Sequence, residues 1–190
     1  VYREGITKIK PIDMKYASDF GMAIKLLAIA KDDNESLELR VHPTMIPETH
    51  PLANVYDSFN AIFINGNAVG DLMFYGRGAG DLPTGSAVVS DIIAILRGNI
   101  DQDNEVPIIR NNLWEKKIKN INEVESRYYI RISVDDKPGV LGQITTIFGA
   151  NRVSLKSVIQ NVRKRNENVE VTLVLITHKT KEYLIKDSID

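Results

Sequence analysis

Alternation of apolar and polar residues marks several strands along this chain. Leu37, Leu39 and Val41 interleave with Glu38 and Arg40, which predicts a half-exposed strand. Tyr128, Ile130, Ile132 and Val134 repeat the pattern, as do Val169, Val171, Leu173 and Leu175. Val153, Leu155 and Val158 predict another strand, running through Gln160. Ala23 to Ala30 is a nearly continuous apolar run broken only by Lys25. Its length suits a strand covered on both faces, with a helix as the alternative. Helical spacing appears at Ile12, Tyr16 and Phe20, behind Pro11 and ahead of Gly21. It returns at Val88 to Leu96, and again at Val140, Leu141, Ile144, Ile147 and Phe148, closed by Gly149. Lys181 to Asp190 begins a further helix.

Turn chemistry punctuates these elements. Asp32-Asp33-Asn34 joins two strands. Asn65-Gly66 predicts a type I′ hairpin between Ala61–Ile64 and Val69–Phe74. His42 to Ala53, with three prolines, reads as a loop, and Arg163 to Asn168 as a solvated hairpin tip. Most strands are joined by turns too short for parallel crossovers. The expected fold is therefore α+β: a largely antiparallel sheet with helices on one face and the other face open to a partner subunit, then a smaller βαββα unit. The expected division is 1–98, a linker at 99–126, and 127–190. Some local order is expected in the linker around Pro107-Ile108-Ile109 and Trp114.

Composition narrows the function classes. A formal net charge of −1 over 190 residues argues against a general nucleic-acid or anionic-membrane binder. With no cysteine there are no disulfides, thiolate chemistry or Cys-ligated zinc, which fits a reducing cytoplasm. No apolar run approaches the roughly 20 residues needed to span a bilayer. The chain opens at Val1 rather than Met, and reads as part of something longer. A metal at His42 and His50 needs a further ligand cluster, for which Glu48 is the one nearby candidate. Histidines beside prolines read as structural hydrogen-bonders instead, and no metal site is assigned.

The stretch with most chemical promise is Tyr75-Gly76-Arg77-Gly78-Ala79-Gly80-Asp81-Leu82-Pro83-Thr84-Gly85-Ser86-Ala87. Closely spaced glycines allow positive φ and let a ligand approach the main chain. Thr84 is the expected N-cap of the helix that follows, whose free N–H groups would suit an anion or a carbonyl oxygen. A plain strand-to-helix turn is the competing reading. The stretch lacks the βαβ unit and the downstream acidic residue of a dinucleotide fingerprint.

Glu4-Gly5-Ile6, Arg40-Val41-His42-Pro43-Thr44, Ile46-Pro47, His50-Pro51-Leu52-Ala53-Asn54-Val55 and the Gly-rich loop resemble homoserine dehydrogenase, in that family's order and at about its spacing. The resemblance implies an NAD(P)-dependent interconversion of L-homoserine and L-aspartate 4-semialdehyde in threonine, methionine and isoleucine biosynthesis. It also implies that the loop closes over the nicotinamide, a role carried here by Gly78, Ala79, Gly80 and Thr84. The family's catalytic lysine and aspartate precede the Glu-Gly-Ile motif and, like the nucleotide-binding domain, lie outside this chain. No catalytic residue is assigned within it, and Lys25 reads as a strand lysine at a sheet edge. Asp136-Lys137-Pro138-Gly139-Val140-Leu141 within the βαββα unit resembles an ACT domain, of ferredoxin-like βαββαβ order with its last strand missing. That likeness implies an amino-acid effector, threonine by family, held by Asp136, Gly139, Val140, Leu141 and Asn151. An ACT-like unit that only pairs subunits is the alternative to an effector site. The whole is expected to be the C-terminal part of a cytoplasmic enzyme acting as a homodimer or larger. The alternative function is a non-enzymatic amino-acid-binding regulatory protein.

Overall fold

The structure, a computed structural model, describes residues 1–33, 35–100, 115–165 and 168–189. In chain order the elements are β1 (Tyr2–Arg3), α1 (Pro11–Asp19), β2 (Met22–Asp32), β3 (Ser36–Pro47), β4 (Phe59–Gly66), β5 (Gly70–Arg77), α2 (Asp81–Ile100), β6 (Lys117–Ile118), β7 (Glu125–Ser126), β8 (Tyr129–Asp135), α3 (Val140–Ala150), β9 (Leu155–Arg165), β10 (Asn168–Thr177), β11 (Thr180–Lys181) and α4 (Glu182–Ile189). The class is mixed α and β with antiparallel sheets, as the alternation predicts. Pro107-Ile108-Ile109 and Trp114 lie outside the described residues.

Two compact units divide the chain. The first gathers Val1–Lys8, Leu26–His42 and Lys116–Asp190. Its larger ladder has the order β8-β10-β9, with antiparallel pairing throughout. Val171, Leu173 and Leu175 of the central β10 are almost fully buried. Phe148 of α3, Val153, Leu175 and Ile185 of α4 form the core, flanked by Ile130, Ile132, Ile144, Leu155 and Leu184. This is the expected β-α-β-β-α order. Gly149 does not end α3: the helix runs to Ala150, and Arg152 takes the left-handed backbone (φ +61°). The β9–β10 ladder extends to Arg165↔Asn168, so part of the expected hairpin tip is strand.

In the same unit, β3 carries two parallel partners, β1 through Tyr2↔Arg40 and β6 through Ser36↔Lys117. Asp33 makes the expected turn: its carboxylate accepts from the Ser36 amide (2.6 Å) and hydroxyl. Lys119 and Lys116 place their ammonium groups on Asp33 (2.7 Å) and Asp32. β7 pairs with β11. β6 and β7 come from residues 115–126, within the stretch expected as linker.

The second unit is Ile9–Lys25 with Pro43–Glu115. Pro11 opens α1, and Asp13 caps it by accepting from the Lys10 amide at 2.9 Å. Asp13, Tyr16 and Ala17 are its buried residues. Three sequence expectations fail nearby. The expected loop after Val41 is strand as far as Pro47, because extended backbone suits the residue before each proline. β2 is not covered on both faces: its burial alternates, and Leu26 is 53% exposed. The hairpin exists, but its turn is not Asn65-Gly66. Gly66 pairs with Gly70, leaving residues 67–69 as the loop, and Gly70 supplies the positive φ (+75°).

Candidate functional site

Two places can be built from the residues upward. The first is the glycine-rich connection from β5 to α2. β5 runs on through Arg77, and Gly78 to Gly80 form the bend. The Gly78 amide donates to the Ser58 carbonyl at 2.8 Å, which holds the bend against its own hairpin. A Cβ on Gly78 would run into the carboxamide of the exposed Asn60, which would have to swing aside. Gly80 is the one glycine of the bend with positive φ, at +126°. The Thr84 amide donates to the Gly80 carbonyl at 3.1 Å. Gly80 is therefore the N-cap, and Thr84 lies inside α2. The expectation of Thr84 as N-cap is corrected: Gly80 can take a backbone that starts the helix four residues earlier, and Pro83 fits the first turn because its missing N–H would have no intrahelical partner. Gly78, Ala79, Gly80 and Thr84 are all exposed, and nothing lies within 4 Å of a Cβ built on Gly76 or Gly85. The backbone of this bend is open to a planar group.

The hairpin and α2 are apolar as well as exposed. Ile62, Phe74 and Tyr75 are more than half exposed, as are Leu82, Val88 and Ile95. Contiguous apolar surface of this kind marks a place where other protein or a ligand sits.

His50 belongs to the local architecture of this unit. Its Nδ1 accepts from the Leu52 amide (3.1 Å), capping a short 3₁₀ turn, and its ring lies 4.8 Å from that of Phe63. This is the structural role expected of it. Among the described residues no group of three or more His, Asp or Glu is placed to hold a metal. Lys25 donates to the Val55 carbonyl (2.7 Å) and sits 3.8 Å above the Tyr56 ring. Desolvation lowers its pKa.

The second place is the turn before α3. Gly139 takes φ +89° as the N-cap of α3, and Gln143 donates to its carbonyl at 2.9 Å. With Asp136, Val140 and Leu141 it lines a groove of about 480 Å³, whose floor includes Gln160, Val171 and Leu173. Asp135 and Lys137 pair at 2.8 Å beside it, each shifting the other toward its charged form. The groove therefore joins helix-start amides to a carboxylate-bearing turn, a combination suited to a small zwitterion. Gln160 is a lining residue that sequence reasoning missed; no local motif marks it, because β10 places it against Leu173. Asn151 is not part of this groove. It caps the far end of α3, where its Nδ2 donates to the Ile147 and Asp187 carbonyls, each at 3.2 Å.

Residues 1–93 match the homoserine dehydrogenase family, and residues 128–187 match the ACT domain family. Homoserine dehydrogenases of Pseudomonas aeruginosa and Neisseria gonorrhoeae are 39% and 41% identical over 99% of this chain. The chain spans 44% of the length of each of those relatives. A crystal structure of a homoserine dehydrogenase from Thiobacillus denitrificans superposes with a TM-score of 0.84 at 37% identity, covering 98% of this chain and 42% of that one. A Staphylococcus aureus homoserine dehydrogenase superposes at 0.57 with 28% identity, again over 98% of this chain and 43% of its own. The chain belongs to the homoserine dehydrogenase family, as a homoserine dehydrogenase domain followed by an ACT domain.

Proposed function

We propose that the protein is an NAD(P)-dependent homoserine dehydrogenase, interconverting L-homoserine and L-aspartate 4-semialdehyde in the cytoplasm, on the route to threonine, methionine and isoleucine. Residues 1–98 act as the distal part of its substrate domain, 99–126 connect, and 127–190 act as its regulatory domain. The observation that carries this reading is the exposed main chain at Gly78, Ala79, Gly80 and Thr84, in a chain that aligns with homoserine dehydrogenases over 99% of its length. The bend fits a nicotinamide ring: φ +126° at Gly80 excludes a side chain, and the space over Gly76 and Gly85 is open. The nicotinamide, when bound, gives or takes the hydride. What this chain adds is position. Gly78 is clamped to Ser58 and Gly80 anchors α2, and the first-turn amides of a helix have no partner within its own ladder. The exposed apolar residues of β4, β5 and α2 support a homodimer or larger assembly.

The groove formed by Asp136, Gly139, Val140 and Leu141 is the effector site of this reading, with threonine as its ligand. Helix-start amides take the carboxylate and Asp136 the ammonium group. Asn151, across α3, supports the site rather than touching its ligand.

The full-length protein should oxidise L-homoserine with NAD or NADP. Gly80→Val places a β-branched residue at positive φ, a strain of roughly 1–3 kcal/mol. kcat/KM for the cofactor should fall about tenfold or more. Unchanged kinetics would take the loop out of the site, and no turnover by the unmodified full-length protein would remove the enzyme assignment.

A further inference from the structure

Asn60 stands against the glycine-rich bend, whose backbone contacts make no use of its polar atoms. It sits on β4 directly opposite Gly76 of β5. Its carboxamide occupies the place that a Cβ on Gly78 would take. The backbone around it is fixed. The Gly78 amide is bound to the Ser58 carbonyl at 2.8 Å. Phe59 stacks on Tyr75 with ring centres 4.8 Å apart and planes 6° from parallel, and the Arg77 guanidinium lies 5.0 Å from the Phe59 ring centre. Asn60 is nevertheless exposed, and among the described residues its carboxamide makes no hydrogen bond. Two N–H donors and a carbonyl acceptor are therefore placed beside the bend with no protein group to use them.

Side chains alternate across a strand pair, so Asn60 and Ile62 share a face of the hairpin with Phe74 and Gly76, opposite to Phe59, Tyr75 and Arg77. Ile62 is 64% exposed and Phe74 62%. Gly76 adds bare main chain, with no atom within 4 Å of where its Cβ would be. This face therefore offers apolar surface and open backbone with a carboxamide at its edge. That combination suits a flat ring carrying one carboxamide: the ring lies on the apolar strip, and the two amide groups pair edge to edge. Packing does not account for asparagine here, because its polar atoms gain no hydrogen bond from Gly78 and an apolar side chain of that size would fill the same place.

We propose that Asn60 orients the nicotinamide ring, its carboxamide oxygen accepting from the NH2 of the ring carboxamide and its own NH2 donating to the ring carboxamide oxygen. Two such bonds fix the rotational setting of the ring on the bend, and with it the ring face turned toward the substrate. In water the pair gains little. Covered by a ligand ring it gains more, because a donor or acceptor left unmet there would have lost its water. The inference rests on the reading of the bend as the nicotinamide site. It adds to that reading the group that tells a nicotinamide from a pyridine nucleotide lacking the amide nitrogen.

The test uses the full-length protein with NAD or NADP, whichever binds more tightly, and the 3-acetylpyridine analogue of the same dinucleotide, whose ring keeps the carbonyl oxygen and lacks the NH2. Calorimetry measures Kd for each. The unmodified protein should prefer the nicotinamide form by about five- to tenfold, the share of one hydrogen bond. Asn60→Ala should weaken the nicotinamide form by about tenfold or more and abolish the preference. Asn60→Asp keeps the shape and the acceptor but has no N–H to give, so it should weaken both forms alike and retain the preference. If Gly80→Val weakens both forms while Asn60→Ala leaves the ratio of the two Kd values unchanged, the bend stands as the site and the proposal for Asn60 is overturned. If Gly80→Val leaves both Kd values unchanged, the bend is not the site, and both readings fall.

Discussion

Adding one methyl group at Gly139 and at Gly142 should have opposite effects, although the two positions lie three residues apart. Neither has any atom within 4 Å of the place a Cβ would occupy, so sterics cannot distinguish them. Backbone conformation does. Gly139 sits at φ +89° and Gly142 within α3. Alanine at positive φ costs about 1–2 kcal/mol. Alanine in a helix interior is better than glycine by roughly 0.5–1 kcal/mol. The two variants should therefore differ by about 2 kcal/mol in the stability of α3. Native-state hydrogen exchange at the Gln143 amide, which donates to the Gly139 carbonyl, reads this directly. Exchange should quicken in Gly139→Ala and slow in Gly142→Ala. Amino-acid binding should weaken in the first variant alone, since relief of the strain would rotate the turn that lines the groove. Equal effects at the two positions would refute the argument that left-handed backbone, rather than space, selects glycine before this helix.

Other consequences can be measured separately. Phe148→Ala empties the centre of the ACT core, where Phe148 is 2% exposed, and should destabilise that domain by about 3–5 kcal/mol in urea denaturation. Lys25→Met keeps the stem but removes the donor to Val55 and the cation over Tyr56; a loss of about 1 kcal/mol is expected, and none at all would mean that water replaces the ammonium at no cost. Asp33 should titrate well below its ordinary 3.8 when followed by carboxyl NMR, because Lys119 and the Ser36 amide and hydroxyl hold it ionised. Its folded pKa is depressed, so its contribution to stability is complete above about pH 4 and is lost as the pH falls toward the folded value. Asp33→Asn should remove that pH dependence, and added salt should shrink it, since the pair is exposed.

Much of this protein was legible from local pattern. Period-two alternation gave β3, β8 and β10, helical spacing gave α1 and α3, and Asp33 declared its turn. Each of these depends on residues close in sequence, whose own backbone preferences and burial periodicity suffice. The misplacements share a cause of the opposite kind. Asn65-Gly66 has the composition of a tight turn, yet pairing between β4 and β5 aligned Gly66 with Gly70 and moved the turn onward. Thr84 is a good cap by type, but Gly80 could already start the helix once Gly78 was pinned to Ser58. β2 looked wholly buried because apolar residues fill it, while which face is covered depends on neighbours distant in sequence. Asn151 follows a helix that begins at the Gly139 turn, and α3 carries it to the opposite end, onto Asp187. The parallel pairing of β1 with β3 has no local signature at all, because only long-range packing brings Tyr2 beside Arg40.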